Sequence, residues 1–354
     1  MALRYQEVKE KVRKTVLGLK VGDRVPSRNF LSRKYEVARN TIDKAIAELE
    51  EEGYLYSVKG SGTYVSGRSV QKVLNIGVVL PSITGDTYPK FISGIEQYAS
   101  RNNINVVLSS SENFPERQHS NILRIIDIQA DGCIIIPIIN SELSYNTFSL
   151  LKKGGIPFVV CNRIIDGLDV PFIGMNNNYG AYIATKHLIE QGCRRLSYIS
   201  EKKYSTAIER YHGFETAIYD SSAGTQKDRV IFGNYDDYEL KSRIRSLFGD
   251  KEHPDGVLCF DDTTAAVLYT MLEEKGLRPG KDVRIVGYND SSLCNMLSVP
   301  LSSVSTEGNK MGREAITMLM GMIRGAGSED DFNDFKVINP RLVIRKSSTG
   351  LDKN

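Results

Sequence analysis

Five positions place a polar or aromatic side chain just past the carboxyl end of a short apolar run, or at the turn that follows one. They are Tyr88 after Leu74–Leu80, Asn162 (with Arg163) after Pro157–Cys161, Arg210 in the helical stretch 209–214, Asp261 after Gly256–Phe260, and Asn289 after Val283–Tyr288. Amides and carboxylates that donate or accept in pairs, joined by a forked guanidinium, suit the vicinal hydroxyls of a sugar ring. A tyrosine such as Tyr88 can cover the ring's apolar C–H face. Taken singly, each residue is more often a loop or cap residue than a ligand contact; their joint placement at one end of the runs favours a ligand site. Asp261-Asp262 would also fit a metal pair or a general base, but two acids opening a helical segment read as capping residues, and Asp262 is expected to be the N-cap.

A second constellation lies near the start of the chain. Ile42, Ala45, Ile46 and Leu49 form the apolar stripe of a helix from about Arg39 to Glu52, so Arg39, Asn40, Asp43 and Lys44 stand off that stripe at its N-terminal end. Arginine pairs bidentately with guanine and asparagine with adenine, and this end of a recognition helix is where base edges are met in the major groove. A solvated helix face is the competing reading for any one of these residues.

The elements that would position them are legible. Tyr5, Val8, Val12 and Val16 give a first helix over 4–17; Ser27 is an N-cap for a second helix with Phe30, Leu31 and Tyr35 on its apolar side; Gly53 ends the third. Two strand-like segments, Tyr54–Val58 and Gly62–Ser66, follow around Lys59-Gly60-Ser61. Three short helices and a hairpin describe a winged helix-turn-helix. Residues 1–72 hold 15 Lys and Arg against 9 Asp and Glu, whereas the whole chain is only +3, so a basic head sits on a mildly acidic body.

The run RVPSRNFLSRKYEVARNTIDKAIAELEEEGYLYSVKGSGTYVSG resembles the DNA-binding domain of the GntR family. It matches through Pro-Ser before helix 2, Val-x-Arg-x-Thr entering helix 3, and the Gly-x-Gly-Thr-x-Val wing. The resemblance implies that Arg39, Asn40 and Thr41 contact DNA from helix 3, with Lys44 beside them, that Lys59 and Gly60 approach the minor groove, and that Arg28 meets the backbone from helix 2. Three departures stand out. Ala38 occupies a position usually held by a Ser or Thr cap, Arg28-Asn29 reverses the common acidic-then-Arg order, and Asp43 stands where an Arg often contacts DNA, with Lys44 as the expected compensation.

From Lys72 onward strands alternate with helices as far as Val283–Tyr288, the pattern of doubly wound parallel sheets, and the repeat is long enough for two lobes. Ligands bind beyond the carboxyl ends of such strands. No G-x-S-x-G, Walker A or post-strand G-x-G-x-x-G occurs in the sequence. The four histidines and five cysteines lack metal or disulfide spacing, so reduced buried thiols, no metal and no cofactor are expected. No apolar run approaches membrane-spanning length, and the opening MALRYQEVKEKVRKTVLGL lacks a signal-peptide pattern, so a cytoplasmic location is expected.

This body resembles the effector domain of the LacI/GalR repressors, itself similar to periplasmic sugar-binding proteins. The runs that carry the resemblance include IGVVLPSITGDTYPKFISGIEQYA, IPFVVCNRIIDGLDVPFIGMNNNYGAYIATKHLIEQGCRRLSYIS and PDGVLCFDDTTAAVLYTMLEEKGLRPGKDVRIVGYND. It implies effector contacts from Tyr88, Asn162, Arg210, Asp261 and Asn289. The family often has Asn at 261 and Asp at 289, the reverse of this chain, and Asn162 and Asn176 replace common aspartates. A GntR-type head on a LacI-type body is similar to the arabinose-repressor type of regulator. The expected architecture is therefore multidomain: a winged helix-turn-helix over 1–66, a linker over 67–73, and an α/β periplasmic-binding-protein-like body of two doubly wound parallel-sheet lobes over 74–346. The expected function is that of a cytoplasmic homodimeric repressor, not an enzyme, on a pseudo-palindromic operator. A monosaccharide (a pentose or hexose, deoxy sugars included) would release it. A sugar-responsive activator and a sugar receptor without DNA function are the alternatives.

Overall fold

The computed structural model describes residues 2–66, 73–83, 88–138, 142–165, 167, 169–201, 204–221, 230–233, 235–249, 252–325 and 335–350. The chain divides into two compact units, Met1–Val73 and Leu74–Asn354; of the expected linker over 67–73 only Val73 is among the described residues.

In the first unit, α1 (Ala2–Leu17), α2 (Arg28–Lys34) and α3 (Arg39–Glu51) precede an antiparallel hairpin, β1 (Leu55–Val58) and β2 (Gly62–Val65). Val8, Val12, Val16, Leu31, Ile42, Ile46 and Leu49 close one core with Leu55 and Val65 from the wing. Ser27 caps α2 by accepting from the Phe30 amide. Phe30 itself is 55% exposed, against expectation: a helix of seven residues turns only Leu31 fully inward. α3 starts at Ala38 with no side-chain cap, forgoing about 0.5–2 kcal/mol. Its other end is tied to α1 instead, Lys9 Nζ lying 2.7 Å from Glu48 and 2.6 Å from Glu52. Segment 22–25 adds a third strand-like edge, with Val25 N donating to Thr63 O and Val65 N to Asp23 O. At Gly62 the backbone φ of +136° is one that side-chain-bearing residues rarely adopt, and a Cβ there would also lie 2.7 Å from Arg24 Nε.

The second unit holds two six-stranded sheets among the described residues. The first runs β13-β7-β6-β5-β3-β4 and is parallel throughout: β3 (Leu74–Leu80), β4 (Ile104–Ser110), β5 (Gly132–Ile135), β6 (Phe158–Cys161), β7 (Phe172–Met175) and β13 (Phe335–Ile338). Its helices are α4 (Pro89–Ala99), α5 (Pro115–Asp127), α6 (Glu142–Lys153) and α12 (Gly308–Arg324). The second runs β14-β12-β11-β10-β8-β9, with β8 (Leu196–Glu201), β9 (Ile231–Gly233), β10 (Gly256–Cys259), β11 (Arg284–Tyr288), β12 (Ser302–Ser305) and β14 (Arg341–Val343). Only β12–β14 is antiparallel there. Around it lie α7 (Asn177–Glu190), α8 (Ser205–Asp220), α9 (Asp237–Leu247), α10 (Asp262–Glu274), α11 (Leu293–Met296) and α13 (Lys346–Thr349). Both lobes thus share the 2-1-3-4-5 doubly wound order, which directs ligands to the carboxyl edge of each sheet.

Among the described residues the chain passes between lobes after β7, after β12 and between β13 and β14. Asn176, at the first passage, caps α7 through its carbonyl and donates from Nδ2 to Asn339 at the third (3.1 Å). Glu307, left-handed at φ 47°, accepts from Arg341 at 2.6 Å, tying the second to the third. All five cysteines are buried and unpaired. Among the described residues no helix is long and apolar enough to cross a membrane.

In the first lobe α4 and α12 cross with their backbones in contact: a Cβ on Gly94 would meet Asn309 O at 2.1 Å, and one on Gly312 would meet Phe91 O at 2.1 Å. Gly94→Ala is expected to force the helices apart and lower the unfolding free energy in urea by about 1–3 kcal/mol, more than its gain in helix propensity returns. An unchanged unfolding midpoint would contradict this crossing.

Candidate functional site

On the head, Asn40, Lys59 and Gly60 are exposed, Gly60 turning the wing tip at φ +79°, and Thr41 is half-buried in the first turn of α3. Arg39 is 63% exposed. Asp43 is not compensated by Lys44. Its Oδ1 lies 2.8 Å from Arg28 Nε and its Oδ2 lies 3.8 Å from Arg39 Nε, because one turn of α3 stacks 39 above 43 and the N-terminus of α2 crosses beside them. Lys44 is drawn to the α1 side, its ammonium 4.7 Å from the Tyr5 ring centroid. Arg28 also donates from Nη1 to Thr63 Oγ1 at 3.3 Å, and Thr63 meets Ser57 Oγ at 2.8 Å; Ser57 in turn donates to Glu50. An ion pair followed by hydrogen bonds therefore joins α3 through α2 to the wing and back to Glu50 of α3. Between them opens a cavity of about 610 Å³ lined by Arg24, Arg28, Arg39, Gly62 and Thr63 among others.

In the body the strand-end residues converge from both lobes. Tyr88 precedes α4, and its buried hydroxyl is held above its ordinary pKa by desolvation, opposed by Arg163 and Arg210. Asn162 turns left-handed (φ 64°), a conformation asparagine tolerates, with its amide on Ile173 O at 2.8 Å. The turn delivers Arg163, buried, whose Nη1 donates to Pro137 O at 3.0 Å and whose guanidinium lies 4.0 Å from the Tyr204 ring centroid in the other lobe. Tyr204 stacks on Phe260 (centroids 6.4 Å apart), and Phe260 in turn flanks Arg210 at 4.7 Å.

Arg210 sits on α8 and is buried. Its Nε donates to Asn177 Oδ1 (3.1 Å), its Nη1 to Phe260 O, and its guanidinium lies 3.5 Å from the Tyr288 ring centroid. Among the described residues neither Arg163 nor Arg210 forms an ion pair with a carboxylate. Asp261, not Asp262, is the N-cap of α10: its Oδ1 accepts from Thr264 N (2.7 Å) and Thr264 Oγ1 (2.8 Å). Asp262 lies one residue inside the helix and is turned into the core, accepting from Ser303 Oγ (2.6 Å) and Ser291 N (2.8 Å). Asn289 (φ 98°) follows β11, with its amide on Val304 O. The next residue links the lobes: Lys90 of α4 donates to Asp290 O at 2.6 Å, while Arg345 holds Asp290 Oδ1 at 2.8 Å.

The structure thus brings Tyr88, Arg163 and Arg210 into one electrostatic cluster; Asp261, Asn162 and Asn289 adjoin it along the chain, next to Phe260, Arg163 and Tyr288. Arg163 stood in the strand-end pattern beside Asn162; the residues missed by sequence reasoning are Asn177, Tyr204, Glu209 and Phe260. Tyr204 lies past the end of β8 and Phe260 directly after β10, so the same strand-end criterion reaches both.

The two units match two separate family descriptions. Residues 4–65 match the bacterial regulatory proteins of the gntR family, and residues 185–348 match a periplasmic binding protein-like domain. The chain is 27% identical to an arabinose metabolism transcriptional repressor of Halalkalibacterium halodurans, over 98% of this chain and 97% of that one. Among solved structures, transcription regulator CcpA of Lactococcus lactis is similar at TM-score 0.69 and 23% identity, covering 78% of this chain and all of that one. A LacI family transcriptional regulator from Enterococcus faecium with bound ribose is similar at TM-score 0.64 and 22% identity, again over 78% of this chain and all of that one. The chain is a DNA-binding transcriptional regulator of the repressor class. Its head matches the gntR family over residues 4–65, its body matches a periplasmic binding protein-like domain over residues 185–348, and the fold of the body is similar to those of LacI-type regulators.

Glu209 generates a pH test. Burial pushes its carboxyl above the usual range, against the opposing Asn177 hydrogen bond (2.9 Å) and the Arg210 charge. A raised folded-state pKa adds stability that is fully present below the unfolded value, about 4.3, and is lost as pH rises through the folded value. Glu209→Gln is therefore expected to melt above wild type at pH 7, with the gap closing near pH 4; a constant gap across that range contradicts the assignment.

Proposed function

We propose that this protein is a cytoplasmic homodimeric repressor that leaves its operator when a monosaccharide binds between the lobes of the body. The observation that carries the reading is the convergence of Tyr88 and Arg163 from one lobe with Tyr204, Phe260 and Arg210 from the other, with Asp261 next along the chain from Phe260. Aromatic faces there flank guanidinium donors and a carboxylate acceptor, the chemistry that holds a polyol ring. The name of the arabinose repressor relative and the ribose in the related LacI-family structure support the ligand class.

On the head, Arg39, Asn40 and Thr41 would read bases while Lys59 and Gly60 follow the minor groove. A dimer places two heads on a pseudo-palindrome. The surface offered for pairing is the outer edge of the first lobe, where edge strand β4 exposes Val107 and Leu108 beside Phe114, Leu123 and Ile128 of the α5 region. Sedimentation at micromolar concentration is expected to give a dimer; a monomer contradicts the pairing.

Release follows from linkage. A hundredfold loss of operator affinity needs about 2.8 kcal/mol of coupling, and DNA weakens the effector by the same factor. With an operator selected from a randomised duplex library, Arg210→Ala is expected to bind DNA like wild type and fail to release across titrations of pentoses and hexoses. Release at wild-type sugar concentration would place sensing outside this cleft.

A further inference from the structure

Asp43 is an acid on the surface that must approach a polyanion. Every phosphate nearby raises its energy, and an exposed i,i+4 pair with Arg39 stabilises a helix too little to offset that. What the carboxylate does geometrically is more specific. It takes Arg28 at Nε (2.8 Å), and Thr63 on the wing takes the same guanidinium at Nη1 (3.3 Å), so Arg28 is a strut between α3 and β2. Arg39 is approached only along its Nε edge, at 3.8 Å. Among the described residues nothing else engages it, and the two Nη groups at the end of the fork remain available. Those two groups match guanine O6 and N7.

We propose that Asp43 is a positioning residue that sets the operator's base preference: it fixes the Nε edge of Arg39 so that the Nη fork meets a guanine, and it withholds Arg28 from phosphate. The inference rests on the reading that Arg39 faces bases. It makes Asp43 a device for specificity over affinity, because the same charge that orients Arg39 penalises DNA in which no guanine rewards the orientation. The two effects have opposite signs on cognate and random DNA, and that sets them apart from simple repulsion.

The test uses the full chain and a randomised duplex library, with wild type, Asp43→Asn, Asp43→Ala and Arg39→Ala compared for base preference at each half-site position. Binding to random-sequence duplex is measured across a salt series. Melting curves check folding, and the Asn variant preserves size. Asp43→Asn and Asp43→Ala are expected to lose about tenfold of the guanine preference at one position, the low end of what a bidentate pair discriminates. They are also expected to bind random duplex more tightly, with a salt slope steeper by about one as Arg28 becomes free for phosphate. Unchanged base preference in both Asp43 variants, or affinity rising by one factor on every sequence, overturns the proposal. Guanine preference erased by Arg39→Ala but kept by Asp43→Asn removes the positioning role alone. Preferences intact in Arg39→Ala remove the base-reading assignment of Arg39 as well.

Discussion

A buried guanidinium stands at the centre of the body. Arg210 is closed off from water, holds Asn177 and the Phe260 carbonyl, and lies against the Tyr288 and Phe260 rings. A charge in that position is costly unless hydrogen bonds and polarisable faces replace its hydration. The surrounding elements are arranged to provide this replacement. α7 brings Asn177, the end of β10 turns a carbonyl inward, and β11 supplies an aromatic face. Gly180 on α7 leaves room for that tyrosine, since a Cβ there would fall 2.2 Å from Tyr288 Oη. The same requirement explains why α7 and α8 pack with Gly213 against the Asn178 carbonyl: α8 must come close for its arginine to reach across.

The opposite lobe meets this centre with a second buried cation, Arg163, stacked over Tyr204. A continuous stack runs from the Arg163 guanidinium over the Tyr204 and Phe260 rings to the Arg210 guanidinium and the Tyr288 ring. Among the described residues both arginines have neutral partners and π faces in place of carboxylates, so no described carboxylate saturates their donors. A hydroxylated ligand competes for such donors on better terms than it would for an arginine locked in a bidentate ion pair.

Much of this was legible where periodicity was long and clean. The stripe Ile42, Ala45, Ile46 and Leu49 repeats over about two turns of α3, and all four residues are buried. The seven residues of α2 give too little repeat to fix a face, and Phe30 was misassigned. β12 is Ser-Ser-Val-Ser, a wholly buried strand with no apolar run to announce it; Ser302 and Ser303 are paired inside the lobe with Asp262, the Arg345 carbonyl and Ser348. Adjacent acids at 261 and 262 defeat local reasoning for another reason. Either can cap, and only the tertiary position of Ser291 and Ser303 decides that Asp262 turns inward. Of the site, the strand-end residues were visible as a pattern, whereas Asn177 and Glu209 act through a helix–helix crossing that no spacing encodes.

The glycine crossing in the first lobe has a mechanical side. α4 begins with Tyr88 and Lys90 at the cleft, and α12 begins where the chain returns from the other lobe. Gly94, Gly308 and Gly312 press the two backbones together with no side chains between them. Side chains can yield by changing rotamer, but touching backbones cannot. The two helices are therefore joined as one stiff pair that runs from the Glu307 passage to Tyr88 and Lys90 at the start of α4.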